Sequence, residues 1–167
     1  MDWLEAIHQT IVRLGTRWVA PFDASPTFYD YSPWPMRDFM EAMSMAAGAT
    51  EGRRFFEAGC GIGTKLALMS ILGWEVAGLD RYQPYLDAAA ELVPEAQLVL
   101  GDVRDVGFFD ADVVFMYRPA IDDGLEERME QHVADRVAPG TVLLIPPETP
   151  FFWSLGLERL GPNLWRR

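Results

Sequence analysis

The sequence predicts an α/β fold, a three-layer α/β/α domain with a doubly wound, mainly parallel sheet of about five to six strands. From Arg53 onward, short apolar runs alternate with segments of helical periodicity. Each predicted strand is apolar throughout rather than at every second residue, which is typical of parallel strands buried on both faces. A glycine-rich turn follows the first strand, at the edge where such sheets bind ligands.

Two helices and an aromatic segment precede the predicted sheet. Apolar residues recur every three or four positions over residues 2–18, which predicts an amphipathic helix. Prolines alternate with aromatic residues over positions 21–35, which excludes regular structure, and we expect this segment to cover either the core or a ligand. A second helix is predicted from Met36 to Gly48. We assign residues 1–50 to a cap segment and 51–167 to a single folding unit.

The remaining elements alternate strand and helix. They are a strand at 55–56, a helix over 66–72, a strand over 74–79, a helix over 84–92, strands over 97–100 and 112–117, a helix over 125–137 and a strand over 141–145. Only 22 residues follow Ile145. We therefore expect the fold to be truncated after its fifth strand, with at most one further short strand around residues 160–166.

Composition excludes several functional classes. The chain has 14 basic and 25 acidic residues and a formal net charge of −11, whereas a nucleic-acid interface needs a basic surface. Cys60 is the single cysteine, and with only His8 and His132 beside it no Cys/His zinc site is expected. No apolar run has the length of a membrane span, so we expect a cytoplasmic protein without a metal or a membrane partner.

The glycine-rich turn and two acids that follow it predict an adenosine site. The run Glu57-Ala58-Gly59-Cys60-Gly61-Ile62-Gly63 joins the first strand to its helix, where glycines let a ligand approach the backbone. Asp80 ends the second strand and Asp102 the third, so both carboxylates are expected at the same edge of the sheet. A carboxylate there can accept hydrogen bonds from both ribose hydroxyls.

Spacing argues against a phosphate-binding turn. The dinucleotide pattern G-x-G-x-x-G fails, because its third glycine position holds Thr64 when counted from Gly59. The P-loop pattern also fails, because Lys65 follows a threonine and precedes Leu66. Glu57 would repel phosphates but can face an ammonium group, which favours a ligand with a cationic end.

These motifs, in this order, resemble those of the class I S-adenosylmethionine-dependent methyltransferases. The resemblance covers about Phe55 to Pro146 and rests on the run 57–63, on Asp80, on Gly101-Asp102-Val103 and on the segment 112–119. It implies S-adenosylmethionine as cofactor and S-adenosylhomocysteine as product. The cofactor-binding residues that it implies are Glu57, Gly59, Cys60, Gly61, Gly63, Asp80, Arg81, Asp102, Val103 and Tyr117. Among them, the turn and Glu57 would hold the methionine part, Asp80 the ribose, and Asp102 with Val103 the adenine.

The resemblance implies methyl transfer to a small molecule or a protein side chain. The alternative is a non-catalytic S-adenosylmethionine-binding protein that acts as a sensor or a partner subunit. The catalytic residue is left unknown, with Tyr117, Glu148, Asp122 and Asp123 as candidates for a base at the rim. Arg118 either holds an acidic substrate or forms a surface ion pair.

Two further expectations concern partners. DNA-base methylation is disfavoured, because Tyr117-Arg118-Pro119 follows the fourth strand where amine-directed DNA methyltransferases have a D/N-P-P-aromatic motif. A homodimer is the expected assembly if the sheet edge left by the short tail, or the aromatic segment Phe151–Trp153, is exposed.

Overall fold

The computed structural model describes residues 34–118, 120 and 122–167. The predicted helix over residues 2–18 and the aromatic segment before Trp34 lie outside the described residues. The elements, in chain order, are α1 (Met36–Gly48), β1 (Arg54–Ala58), α2 (Thr64–Ile71), β2 (Glu75–Asp80), α3 (Gln83–Leu92), β3 (Gln97–Leu100), β4 (Val113–Met116), α4 (Asp123–Arg136), β5 (Val142–Leu144), β6 (Glu158–Gly161) and β7 (Leu164–Arg166). Short 3-10 turns cover Val103–Asp105 and Pro150–Ser154.

The strands form one seven-stranded sheet in the order β3-β2-β1-β4-β5-β7-β6. Strands β1 to β5 are mutually parallel, and β7 pairs antiparallel with both β5 and β6. The predicted α/β class with a mainly parallel sheet is therefore confirmed, as is the helix predicted from Met36 to Gly48.

The strand count is higher than the sequence predicts, because the tail holds two strands instead of one at most. The chain passes from β5 to β6 through a 3-10 turn of five residues, without an α-helix anywhere in the stretch 145–157. A tight reversal between β6 and β7 is made possible by Asn163, whose φ is +57°. The first connection contains no α-helix, and the second is a tight reversal between Gly161 and Leu164. The 22 residues after Ile145 therefore suffice for a complete β-hairpin, and the sheet is not truncated after β5.

Apolar side chains fill a core on each face of the sheet. On one face, α1, α2 and α3 pack on residues such as Phe55 and Phe115. On the other face, α4 packs on residues such as Met116 and Leu143. Residues of the central strands β1, β4 and β5 alternate between these two cores, which explains why apolar side chains follow one another along them. Phe39 of α1 contacts Phe115 with ring centroids 5.1 Å apart, so α1 shares the core of the sheet.

The predicted dimer surfaces differ in exposure. The sheet edge that the short tail was expected to leave open beyond β5 is instead paired with β7, which leaves β6 at that edge. In the C-terminal aromatic segment, Phe152 is buried, and Trp153 is exposed beneath the guanidinium of Arg159. The segment is thus divided between core and surface, and a homodimer through either surface stays a prediction.

Candidate functional site

The order of the strands places the glycine-rich turn at the point where the chain reverses its direction across the sheet. Strand β1 lies between β2 and β4, and its last residue Ala58 pairs with Leu79 and Met116. The turn begins directly after Ala58, Asp80 follows Leu79, and Tyr117 follows Met116. They therefore meet at one edge, which is where open α/β sheets bind ligands.

The turn depends on three residues with left-handed backbone conformations. The φ angles of Gly59, Gly61 and Gly63 are +81°, +52° and +76°. A side chain at any of them would be strained, which explains the alternating glycines. The space beside Gly59 is open, since a Cβ there would have no other atom within 4 Å. Gly63 instead packs closely on α3, where a Cβ would lie 3.0 Å from that of Ala89.

Four N–H groups of the turn already donate hydrogen bonds within the protein. Those of Gly59 and Cys60 donate to the Leu79 carbonyl (2.8 and 2.9 Å), that of Gly61 to Asp80 Oδ2 (2.8 Å) and that of Gly63 to the Cys60 carbonyl (2.9 Å). A phosphate-binding loop needs such N–H groups free to point at the ligand. This turn offers a ligand close approach and nearby carboxylates, which suits a cation better than a phosphate.

Glu57 supplies a buried acid next to the turn. Its side chain belongs to a residue only 6% exposed, and Oε2 has no hydrogen-bond partner among the described residues. Burial raises the pKa of Glu57 to about 8; the charge of Lys65 opposes this rise and that of Asp80 adds to it. A buried carboxyl oxygen without a partner is costly, and a donor from a bound ligand would satisfy it.

Lys65 is a site residue that the sequence reasoning missed. It is the only lysine in the chain and is 1% exposed. Its Nζ donates to the Trp34 carbonyl at 2.6 Å and lies 5.6 Å from the centroid of the Phe39 ring. The sequence feature that could have indicated this role is the position of the single lysine, in a chain with 13 arginines, just after the glycine turn.

Asp80 fixes the turn to the end of β2. Its Oδ2 accepts the Gly61 N–H at 2.8 Å, and its Oδ1 accepts the Tyr82 N–H at 2.9 Å. Burial raises the pKa of Asp80, and the two backbone N–H groups oppose that rise. Each carboxylate oxygen keeps capacity for a further hydrogen bond, so the side chain can hold the turn and accept from ligand hydroxyls together.

Asp102 is engaged by two guanidinium groups at the end of β3. Its Oδ2 lies 2.7 Å from Arg104 Nη2 and 3.4 Å from Arg81 Nε. The hydrogen bond from Arg104 is the largest cause that lowers the pKa of Asp102, to about 2. Val103 follows in the 3-10 turn and is buried. Arg81 thus bridges the second and third strands at the predicted adenine side of the edge.

The thiol of Cys60 is enclosed in the core. Cys60 is 1% exposed, and burial is the largest cause that raises its pKa. A Cβ on Gly78 would lie 2.9 Å from Cys60 Cβ and 3.0 Å from Sγ, so the two residues fill one space. Only the backbone of Cys60 can therefore face a ligand, and its side chain is a small filler.

The candidate bases at the rim have distinct surroundings. Tyr117 is half-buried, and its ring stacks on Trp34 with centroids 6.3 Å apart. Glu148 accepts from the Arg159 guanidinium at 3.1 Å and from the Asn163 N–H at 3.1 Å. Asp122 caps α4 by accepting the Leu125 N–H at 2.7 Å, and Asp123 is the first residue of that helix. Two of these carboxylates therefore have structural partners.

Arg118 has an unusual backbone at the end of β4. Its φ is +40°, which is rare for a residue with a side chain and concentrates at functional positions. The guanidinium is exposed and interacts electrostatically with Glu126 on α4, where it opposes the burial that raises the Glu126 pKa.

Among the described residues, no group of three or more His, Cys, Asp or Glu side chains could hold a metal ion. No described helix combines the length and the apolar character that crossing a bilayer requires.

The fold and this site have counterparts among known proteins. The sheet with its switch point between β1 and β4 has the fold of the class I S-adenosylmethionine-dependent methyltransferases. Residues 56–119 match the family described as a methyltransferase domain. No protein with a curated description matches the sequence.

Solved structures show the same fold at low sequence identity. An RNA methyltransferase from Salinibacter ruber, in complex with S-adenosyl-L-homocysteine, is 16% identical with a TM-score of 0.58; the match covers 68% of this chain and 76% of that one. An amino pentose methyltransferase from Micromonospora echinaspora, bound to S-adenosylmethionine, is 22% identical with a TM-score of 0.55, covering 72% and 59%. The CcbJ methyltransferase from Streptomyces caelestis is 24% identical with a TM-score of 0.56, covering 70% and 56%. The chain thus spans less than two thirds of the latter two proteins.

Proposed function

We propose that the chain binds S-adenosylmethionine at the glycine turn and transfers its methyl group to a small molecule or a protein side chain. One observation carries the proposal. The turn gives a ligand close backbone approach, its four N–H groups at 59, 60, 61 and 63 donate internally, and Glu57 Oε2 is buried without a partner in the part of the chain that the structure describes. That combination suits a nucleoside with an ammonium group rather than a phosphate.

The residues at the edge fit each part of this cofactor. Glu57 and the turn would accept the ammonium of the methionine part, and Asp80 would accept the ribose hydroxyls while it still holds Gly61. Asp102, with Val103 behind it, would face the adenine, while Arg81 and Arg104 keep the carboxylate ionised. Two structures of the same fold hold the cofactor or its product.

When bound, the cofactor supplies a methyl group on a sulfonium: the acceptor lone pair forms the new bond to carbon, the carbon–sulfur bond breaks, and its electron pair remains on a neutral thioether. The protein's main task is then alignment, which can contribute several kcal/mol without an acid or a base. Tyr117 at the end of β4 would orient the acceptor, and Trp34, which stacks on it, would shield that side from water.

The second candidate function is a non-catalytic binder that acts as a sensor or a partner subunit. It is favoured by the rim residues, because Glu148 is held by Arg159 and Asn163, and Asp122 caps α4. An acceptor that arrives protonated would need a free base. Both candidate functions require the same cofactor site.

Calorimetry with S-adenosylmethionine and with S-adenosylhomocysteine tests the shared cofactor site. We expect Asp80→Asn to bind either ligand about 10 to 150 times more weakly, because it loses ~1.5–3 kcal/mol of charge-assisted hydrogen bonding. The amide oxygen of the variant can still accept the Gly61 N–H, but its NH2 group then faces the Tyr82 N–H, so the melting temperature is measured alongside the affinity. Equal affinity in a variant with an unchanged melting temperature would contradict the assignment.

Turnover separates the two functions. Formation of S-adenosylhomocysteine that depends on an added acceptor identifies an enzyme. A binder should instead hold both ligands through the same site and consume neither across amine, hydroxyl and carboxylate acceptors.

A further inference from the structure

A cavity of about 500 Å³ lies beside the proposed cofactor site. Its walls come from α1, from the ends of β4 and β5, and from the turn between β6 and β7. The residue before Tyr117, Met116, pairs with Ala58, and Ala58 leads into the glycine turn. The cavity therefore adjoins the edge where the methyl group would be presented, and its size suits a small molecule.

One wall of the cavity is aromatic and fixed in place. Trp34 stacks on Tyr117 at 6.3 Å between centroids and on Phe115 at 6.0 Å. The Trp34 carbonyl accepts a 2.6 Å hydrogen bond from buried Lys65, which anchors this residue from behind. Proline rings form part of the opposite side, at Pro146 and its neighbours. Such walls suit a flat apolar body, and aromatic faces also attract cations.

Among the described residues, those that line the cavity and carry charge give it an acidic excess. Asp38 and Glu41 are three residues apart on α1, so both lie on one face of the helix, and both line the cavity. Arg118 is the cation in the lining, and its charge is shared with Glu126 on α4. The formal net charge of −11 adds a long-range field that attracts cations and repels anions.

We propose that this cavity selects an organic cation with a flat apolar part as the methyl acceptor. The apolar part packs against Trp34 and Tyr117, the cationic group faces Asp38 and Glu41, and a separate uncharged atom of the acceptor, which keeps its lone pair, takes the methyl group. This inference deepens the proposed function and rests on it for the identity of the occupant as an acceptor. The charge preference of the cavity is a property of binding and can be measured without turnover.

Three probes of nearly equal size isolate the charge preference. They are 3-phenylpropan-1-amine, 3-phenylpropan-1-ol and 3-phenylpropionate, which are cationic, neutral and anionic at pH 7. Titration into the full chain saturated with S-adenosylhomocysteine, followed by NMR line broadening of the probe, gives each dissociation constant. We expect the amine to bind 5 to 50 times more tightly than the alcohol and the propionate to bind most weakly.

A pair of matched variants locates the preference. Asp38→Asn with Glu41→Gln removes two charges from the cavity wall and should reduce the amine-to-alcohol ratio to below 3. The control, Glu75→Gln with Glu91→Gln, removes two charges from exposed positions outside the lining and should leave that ratio within twofold of the parent. Both variants change the net charge by the same amount, so a long-range effect alone would lower both ratios equally.

Equal binding of the three probes overturns the inference. An equal fall of the amine-to-alcohol ratio in both variants overturns it as well. Tightest binding of 3-phenylpropionate overturns it too and assigns Arg118 as the anchor of an acidic substrate. Calorimetry of S-adenosylhomocysteine alone is run first. If this ligand does not bind, the proposed function is wrong. If it binds but the cavity shows no preference for the amine, only the inference about the acceptor is wrong.

Discussion

Glu57→Gln is the variant that tests the chemistry of the glycine turn most directly. Burial holds the pKa of Glu57 at about 8, so the carboxyl of the free protein is mostly protonated at pH 7. If the ammonium group of the cofactor binds this side chain, the ionised form is favoured in the complex. Binding should then release a proton, and the glutamine variant has none to release.

The size of the effect follows from that pKa. With a value of about 8, roughly one molecule in eleven is ionised at pH 7 and about one in a hundred at pH 6. The apparent affinity for the cationic ligand should therefore rise about ninefold between pH 6 and pH 7, and close to 0.9 proton should be released per ligand at pH 7. In Glu57→Gln the affinity should be lower by about tenfold at pH 7 and nearly independent of pH over this interval.

Calorimetry in two buffers of different ionisation enthalpy measures the number of protons released. Glu130→Gln is the matched control, because burial raises the pKa of Glu130 to about 8 as well, but this residue lies on α4. The control should release the same number of protons as the parent chain. Proton release that persists unchanged in Glu57→Gln would refute the contact between this carboxyl and the ligand.

Three further predictions concern buried groups. Glu130 has both carboxyl oxygens buried without partners among the described residues, and its pKa is raised above the ordinary value of 4.5, so the free energy of unfolding falls as pH rises from about 5 to 8. Glu130→Gln should reduce that fall by about 1–3 kcal/mol, as measured by urea denaturation at both pH values. The charge of Lys65 lowers the pKa of Glu57, so Lys65→Met should move the pH dependence of ligand binding upward, and calorimetry that finds it unmoved would contradict the coupling. Gly78→Ala would place a Cβ 2.8 Å from Leu66 Cδ1, and urea denaturation should show a loss of about 1–3 kcal/mol.

Most elements of the fold could be predicted because each depends on a pattern of apolar residues that are close together in sequence. The apolar runs around Phe55 and Val113 are continuous, and the structure shows why, since alternate residues of these strands enter the cores on opposite faces. The tail was predicted less well. A hairpin that depends on a 3-10 turn and on the left-handed Asn163 has no periodic signal, and its strands have only four and three residues.

The candidate site was predictable where position along a strand fixes the location of a side chain. Asp80 and Asp102 lie at the ends of adjacent strands, as the spacing predicts. The side-chain contacts that determine the chemistry of the site could not be predicted, because they join residues far apart in sequence. The bond from Lys65 to Trp34 spans 31 residues, and the α1 acids meet the ends of β4 and β5 only in the folded chain.

The distribution of charge links the two proposed sites. A sulfonium and a cationic acceptor in neighbouring cavities repel each other, and this repulsion is costly where water is excluded. Buried Glu57 faces the first site, and Asp38 and Glu41 line the second, so acids lie where both cations would gather. Methyl transfer leaves sulfur neutral and passes its positive charge to the acceptor atom, so the total charge in the two sites falls only when that atom also releases a proton. The acids therefore offset the cost of bringing two cations together and of gathering that charge on the acceptor.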